Sequence, residues 1–168
     1  RSEEYHQHAK NHKMNNTDFQ FLIEHAVKAP SGHNTQPWKF ENTKNGIRIH
    51  PDFSRRLSVV DAENPELYIS LGCALENIQI AATRKGYHCM VKYPETNREC
   101  IDINFDKAET DNPAPDKLFN YISERQVTKC KYDKKPIPDE HIKMLRANNF
   151  SNTVDMQLFD GRKSFEQI

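Results

Sequence analysis

The sequence holds 168 residues, a length suited to one modest domain or to a piece of something larger. Its 24 Lys plus Arg balance 24 Asp plus Glu, so the whole-chain field is weak, and no basic block marks nucleic acid or an anionic membrane as partner. The hydrophobic share of 36% lies below the globular norm of roughly 45–50%, even once the 5 glycines are added, so the expected core is thin unless another polypeptide completes it.

Residues 1–16 read as a polar N-terminal arm with His6, His8 and His12. His8 and His12 would share a helical face able to hold a divalent metal, but a solvated arm with incidental histidines is the preferred reading. The first helix is predicted over 17–29. Thr17 and Gln20 have capping-box spacing, Phe19, Leu22, Ile23, Ala26 and Val27 form the apolar face, and Pro30 stops the run. Pro37 predicts an extended Gln36. Residues 38–41 and 47–50 then read as strands joined by a turn in which Gly46 takes a positive φ. The stretch 52–64 reads as a solvated loop carrying Arg55, Arg56 and Asp61.

Pro65 opens the longest predicted helix, 65–85, with Asn64 as its cap, Arg84 and Lys85 at the negative end of the dipole, and Gly86 to end it. Its apolar residues leave almost no polar face, which marks a central helix buried on most sides. Gly72 within it costs about 1 kcal/mol relative to Ala, so a close neighbour is expected there. Strands follow at 87–93 and 100–105. The clearest linker is 111–115, Asp-Asn-Pro-Ala-Pro, taken as a domain boundary. Beyond it come a helix over 116–125, a charged loop to 137, a helix over 138–148, a strand over 153–159, and one helical turn at 164–168. A one-turn helix buries nothing, so the sequence reads as a truncated portion of a longer protein.

Cys73, Cys89, Cys100 and Cys130 are scattered, with no C-x-x-C pair, as for reduced thiols in a cytosol. No apolar run reaches the roughly 18–20 residues of a membrane span, and a cytoplasmic location is expected.

Residues 29–40 read Ala-Pro-Ser-Gly-His-Asn-Thr-Gln-Pro-Trp-Lys-Phe. Ser31, Gly32, Asn34, Thr35 and Gln36 offer hydroxyl, amide and backbone N–H groups suited to hydrogen-bonding a polar heteroaromatic ligand. The segment resembles the Ala-Pro-Ser-x-x-Asn-x-Gln-Pro-Trp-x-Phe signature of the nitroreductase family of FMN-dependent oxidoreductases. The Gly-His-Asn-Thr form is similar to the Acg-like branch, in which two nitroreductase-like halves share one chain. Residues 69–82 likewise resemble that branch's Gly-x-Ala-Leu-x-Asn-Leu helix, which corresponds to the dimer core of nitroreductases. Residues 125–138 resemble the Arg-Arg-Ser-x-Arg-x-Tyr/Phe-x-x-x-Pro-Val-Pro segment that opens each half and whose basic residues hold the FMN phosphate. Arg125 and Lys129 are the matching cations and Thr128 a hydroxyl donor, while Gln126 and Val127 depart from the pattern.

The resemblance implies an α+β sandwich of nitroreductase type, its mostly antiparallel sheet flanked by helices around the helix from Pro65. It implies a first half over 17–110 and the start of a second over 116–168. The two halves, or two subunits of a homodimer, would border one flavin site. Pro30, Ser31 and Asn34 would come from the first half, with Arg125, Thr128 and Lys129 from the second. The implied cofactor is FMN, reduced by NAD(P)H and passing electrons to a nitro- or quinone-like acceptor. No side chain is expected to act as a nucleophile. Two alternatives stay open: a protein that sequesters flavin with little turnover, and a cofactor-free interaction scaffold.

Overall fold

The structure, a computed structural model, describes residues 14–94, 100–107, 117–131, 133 and 135–147. The three arm histidines, the linker at 111–115, the strand expected at 153–159 and the turn at 164–168 lie outside the described residues. The chain divides into two compact units, Arg1–Val127 and Thr128–Ile168.

The first unit opens with helix α1, Asn16–Ala26. Its cap is Asn15, whose carboxamide oxygen accepts from Asp18 N at 2.7 Å while its Nδ2 donates to the Asp18 carboxylate at 2.9 Å. This corrects the expected start at Thr17: three adjacent residues can cap, and the earliest one does so. The helix also ends at Ala26 rather than 29, closing through Val27 N to Ile23 O and Ala29 N to Ala26 O.

Strands β1 (Trp38–Thr43) and β2 (Gly46–Pro51) form a hairpin in which Thr43 pairs with Gly46, leaving Lys44 and Asn45 at the tip. Helix α2, Pro65–Thr83, follows, then β3 (Tyr87–Lys92) and β4 (Ile101–Lys107). The sheet order is β1-β2-β4-β3 and every pairing is antiparallel, so the chain is α+β with an antiparallel sheet, as expected. The register sorts the side chains. Phe40 lies opposite Ile49, Ile49 opposite Ile101, Ile47 opposite Ile103, and Ile103 opposite Val91, which makes one face apolar. The other face carries Lys39 opposite His50, Glu41 opposite Arg48, and Arg48 opposite Asp102.

Helix α2 lies against β2 and β3 on the apolar face, and α1 packs on α2. Leu22, Ala26, Leu67, Leu71, Ala74 and Ile78 meet Ile47, Ile49 and Ile103 in one core. Eight of the 19 residues of α2 are buried, which makes it the central helix, although Ile69, Gly72 and Glu76 on its far side are exposed. Gly72 has open space where a Cβ would stand among the described residues, so the close neighbour expected there is not found. Gly86 follows the helix at φ 71°, as its terminating role requires. Arg84 stacks over Phe119 and Lys85 over Phe21, which clamps the end of α2. Asp18 accepts from Tyr87 at 2.7 Å and pairs with Lys85 at 3.1 Å. Burial alone would raise the Asp18 carboxyl, but the hydrogen bonds from Tyr87, Lys85 and Asn15 hold it below its ordinary value.

A short helix, α3 (Tyr121–Glu124), closes the first unit with Ile122 buried. The helix expected over 116–125 is thus a single turn, preceded by turns at 117–120. In the second unit, residues 128–131 form neither helix nor strand and are exposed, and α4 runs Asp139–Ala147. Asp139 and Glu140 sit in its first turn, where the dipole favours negative charge.

Candidate functional site

The turn between α1 and β1 is built by local hydrogen bonds and held from outside by α2. Asn34 N bonds to Ser31 O and Thr35 N to Gly32 O, each at 3.0 Å, forming one 3-10 turn over Gly32–Asn34. Ser31 Oγ accepts from Gln36 N at 3.0 Å, and Trp38 N donates to Gln36 O at 2.9 Å. These two bonds fold Gln36 to φ 51°, which corrects the extended conformation expected before Pro37. The proline bias is a fraction of the energy of a fixed hydrogen-bonded turn, and the turn wins. His33 (φ 47°) and Asn34 (φ 57°) are left-handed as well. Three non-glycine residues at positive φ within four positions store backbone strain, which a fold keeps where the surroundings over-determine the shape.

Those surroundings are α2 and the loop before it. Gly32 N donates to Ser70 Oγ at 3.4 Å, and Ser70 Oγ donates to Glu66 O at 2.7 Å. A Cβ on Gly32 would stand 2.6 Å from Glu66 Oε2 and 3.2 Å from Leu57 Cδ1, so the turn lies close against the side chains of α2 and of the loop before it. Asp52 N bonds to Pro37 O at 3.0 Å, and Arg55 Nη1 to Thr35 O at 3.3 Å. Gly32, Thr35, Arg55, Arg56, Asp61 and Ser70 line a small depression beside the turn.

Asp61 corrects the solvated-loop reading of 52–64. It is 3% exposed and accepts from Glu66 N at 2.9 Å and Leu67 N at 3.0 Å, capping α2. Asn64 holds the cap position at φ 61° but makes no capping bond with its side chain. Asp52 is buried too, paired with Lys39 at 3.2 Å and Arg55 at 3.7 Å. The hydrogen bond from Ser54, with those from Lys39, holds its carboxyl below the ordinary value. A carboxylate a few residues before Asn-Pro at a helix start is the sequence signal that marks Asp61 as a cap; Arg55 and Arg56 remain exposed as expected.

Of the predicted site residues, Pro30 and Ser31 are half-buried and Asn34 is exposed at the outside of the turn. Arg125 Nη2 donates to Lys28 O at 2.9 Å, two residues ahead of Pro30 in the chain. Lys28 Nζ donates in turn to Ser123 Oγ at 2.9 Å, so α3 and the residues after it are tied to the end of α1. Lys28 lies in the turn that follows α1, so this bond ties Arg125 to the backbone between α1 and Pro30. Thr128 and Lys129 are exposed residues of the second unit. Among the described residues no group of three or more His, Cys, Asp or Glu is placed to hold a metal ion, and no helix is long and apolar enough to cross a membrane.

No family model matches the chain. It aligns with the structure of a nitroreductase family protein from Clostridium difficile 630 at 12% identity and a TM-score of 0.45, covering 75% of this chain and 91% of that one. In sequence it is 28% identical over 125 residues to proteins from two strains of Mycobacterium tuberculosis, each provisionally named an NAD(P)H nitroreductase. The match covers 73% of this chain and 36% of each relative, so the chain spans about a third of the length of these curated proteins. Over most of its own length, then, the chain is similar in sequence to proteins of nitroreductase name.

Proposed function

We propose that the chain carries the cofactor-binding turn of an NAD(P)H-dependent FMN oxidoreductase of nitroreductase type, of the kind found in the Acg-like branch. The observation that carries this reading is the strained turn over 31–36, anchored to α2 and displaying the residue pattern of a flavin-holding segment. Similarity to proteins named as NAD(P)H nitroreductases supports it.

The donor set suits FMN in its chemistry. Ser31 uses an acceptor lone pair on Gln36 N, and its hydroxyl proton can be donated outward. Asn34 presents an exposed carboxamide with both donors and an acceptor, and Pro30 adds a rigid apolar edge. Arg125 has five N–H donors, and the bond to Lys28 O does not exhaust a fork that matches phosphate geometry. Thr128 and Lys129 would add a hydroxyl and a second cation. Bound FMN would supply the redox chemistry, taking hydride from NAD(P)H and passing electrons to a nitro- or quinone-like acceptor. The protein's part is to bind and orient the ring and to shape the cleft. In this reading residues 17–110 form one half and 116–168 begin another, the two pairing within one chain or between copies, in a cytoplasm that supplies NAD(P)H.

The test is a fluorescence titration of FMN. Arg125→Ala is expected to weaken binding by about 1.5–3 kcal/mol through a lost charged contact, and Ser31→Ala by less. Unchanged affinity in Arg125→Ala removes that residue from the site. Gln126 and Val127, standing where the resembling segment has an Arg and a hydroxyl residue, favour a second reading in which flavin is held with little turnover. Failure of NADPH to reduce the bound flavin would select that reading.

A further inference from the structure

The polar face of the sheet holds a set of side chains for which the flavin reading has no use. Cys100 stands one residue before β4, and Ile101 pairs with Ile49, so the thiol is brought beside His50. Cys100 Sγ is 3.2 Å from His50 Nδ1, and Nε2 of the same ring is 2.8 Å from Glu41 Oε2. Sulfur, imidazole and carboxylate thus stand in line, from the start of β4 across β2 to β1. The nearby carboxylates are otherwise committed: Asp102 binds Arg48 through two hydrogen bonds of 2.5 and 2.8 Å, and Asp52 pairs with Lys39. Lys92 lies opposite Asp102 on β3. Glu41 is therefore the carboxylate that serves His50, and Arg48 places a positive charge near Cys100.

A thiol beside an imidazole can pass it a proton, and a carboxylate on the far ring nitrogen fixes the tautomer and stabilises the imidazolium that results. We propose that Cys100 is a redox-modification site, a thiolate held by His50 and Glu41 that small hydroperoxides oxidise to the sulfenic acid. Size selects the reagent, because Cys100 is 2% exposed and an acyl substrate would need an open cleft. The thiolate attacks the terminal peroxide oxygen, the S–O bond forms as the O–O bond breaks, and two electrons pass from sulfur to the peroxide. The imidazolium of His50 gives its proton to the departing hydroxide or alkoxide, which leaves as water or alcohol. Cys73 and Cys89 provide the contrast: burial pushes both thiols up, that of Cys89 to about 12, and among the described residues neither has an imidazole within hydrogen-bond distance of its sulfur to offset it, as Cys100 has. Cys130 is exposed and serves as the reference for access to the reagent.

The experiment treats the protein with limiting hydrogen peroxide, quenches, unfolds, alkylates every remaining thiol with iodoacetamide and quantifies each cysteine peptide by mass spectrometry. Cys100 is expected to react at least about tenfold faster than Cys130 despite its burial, and dithiothreitol is expected to restore it. His50→Gln, with its fold checked by circular dichroism, is expected to bring Cys100 down to the rate of Cys130 or below. A wild-type Cys100 no faster than Cys130 overturns the proposal without reference to any variant. A folded His50→Gln protein with Cys100 as fast as in wild type overturns it as well.

Discussion

Removing the Asp61 carboxylate tests how the candidate site is anchored. That side chain accepts from Glu66 N and Leu67 N at 2.9 and 3.0 Å, so Asp61→Ala strips two N–H groups in the first turn of α2 of their acceptor. Loss of a helix cap costs about 0.5–2 kcal/mol. Leu67 is buried, and a buried N–H without a partner costs about 1–3 kcal/mol. The two penalties overlap, so the expected total is about 2–3 kcal/mol. At about 2–4 °C per kcal/mol for a chain of this size, the unfolding midpoint should fall by about 4–12 °C. Asp61→Asn keeps one acceptor oxygen and should lose about half as much. Thermal unfolding followed by circular dichroism reads both. An Asp61→Ala midpoint within about 1 °C of wild type would mean that the carboxylate does not hold α2, and the anchoring of the turn through Glu66 and Ser70 would need another explanation.

Gly46→Ala would drive a Cβ into the Ile103 carbonyl oxygen across the β2–β4 ladder, with backbone on both sides, and should cost about 3 kcal/mol or more in urea unfolding; a neutral substitution would contradict the register. Arg48→Met removes the two hydrogen bonds that hold the Asp102 carboxyl below its ordinary value. The pair is half-exposed and should contribute about 1 kcal/mol. A lowered folded value means that this stability is present above the unfolded carboxylate pKa and is lost as pH falls through the folded one. The gap between wild type and variant should therefore hold at neutral pH and close below about pH 4; a gap independent of pH would refute the charge argument. Trp38→Ala empties a site that is 7% exposed and should cost about 3–5 kcal/mol, read as a lower melting temperature. An unchanged melting temperature would show that Trp38 does not pack in the core.

The alternation of Ile101, Ile103 and Phe105 is legible in the sequence because one face of the sheet is buried and a strand repeats every second residue. The bounds of α2 are legible for the same kind of local reason: Pro65 lacks an N–H to lose, and Gly86 can take positive φ. Where several local signals compete, tertiary context decides. Asn15, Asn16 and Thr17 can all cap, and Asn15 does so because its carboxamide also reaches Asp18. Gln36 obeys Ser31 Oγ rather than Pro37. The turn over 31–36 is legible as a polar loop between two prolines, but its support on Glu66 and Ser70 depends on where α2 returns. Asp61 reads as one more charged loop residue even with the helix start at Pro65 in place, because its bonds to Glu66 N and Leu67 N depend on how the loop folds back onto that start. The Cys100, His50 and Glu41 alignment depends wholly on strand register, which brings together residues 59 positions apart in the chain at most, counting 100 minus 41.

The most direct test of the flavin reading is a visible absorption spectrum of the protein purified with FMN, followed by anaerobic addition of NADPH. The account predicts a yellow protein whose colour bleaches on reduction. A colourless protein that also fails to take up added FMN would contradict it.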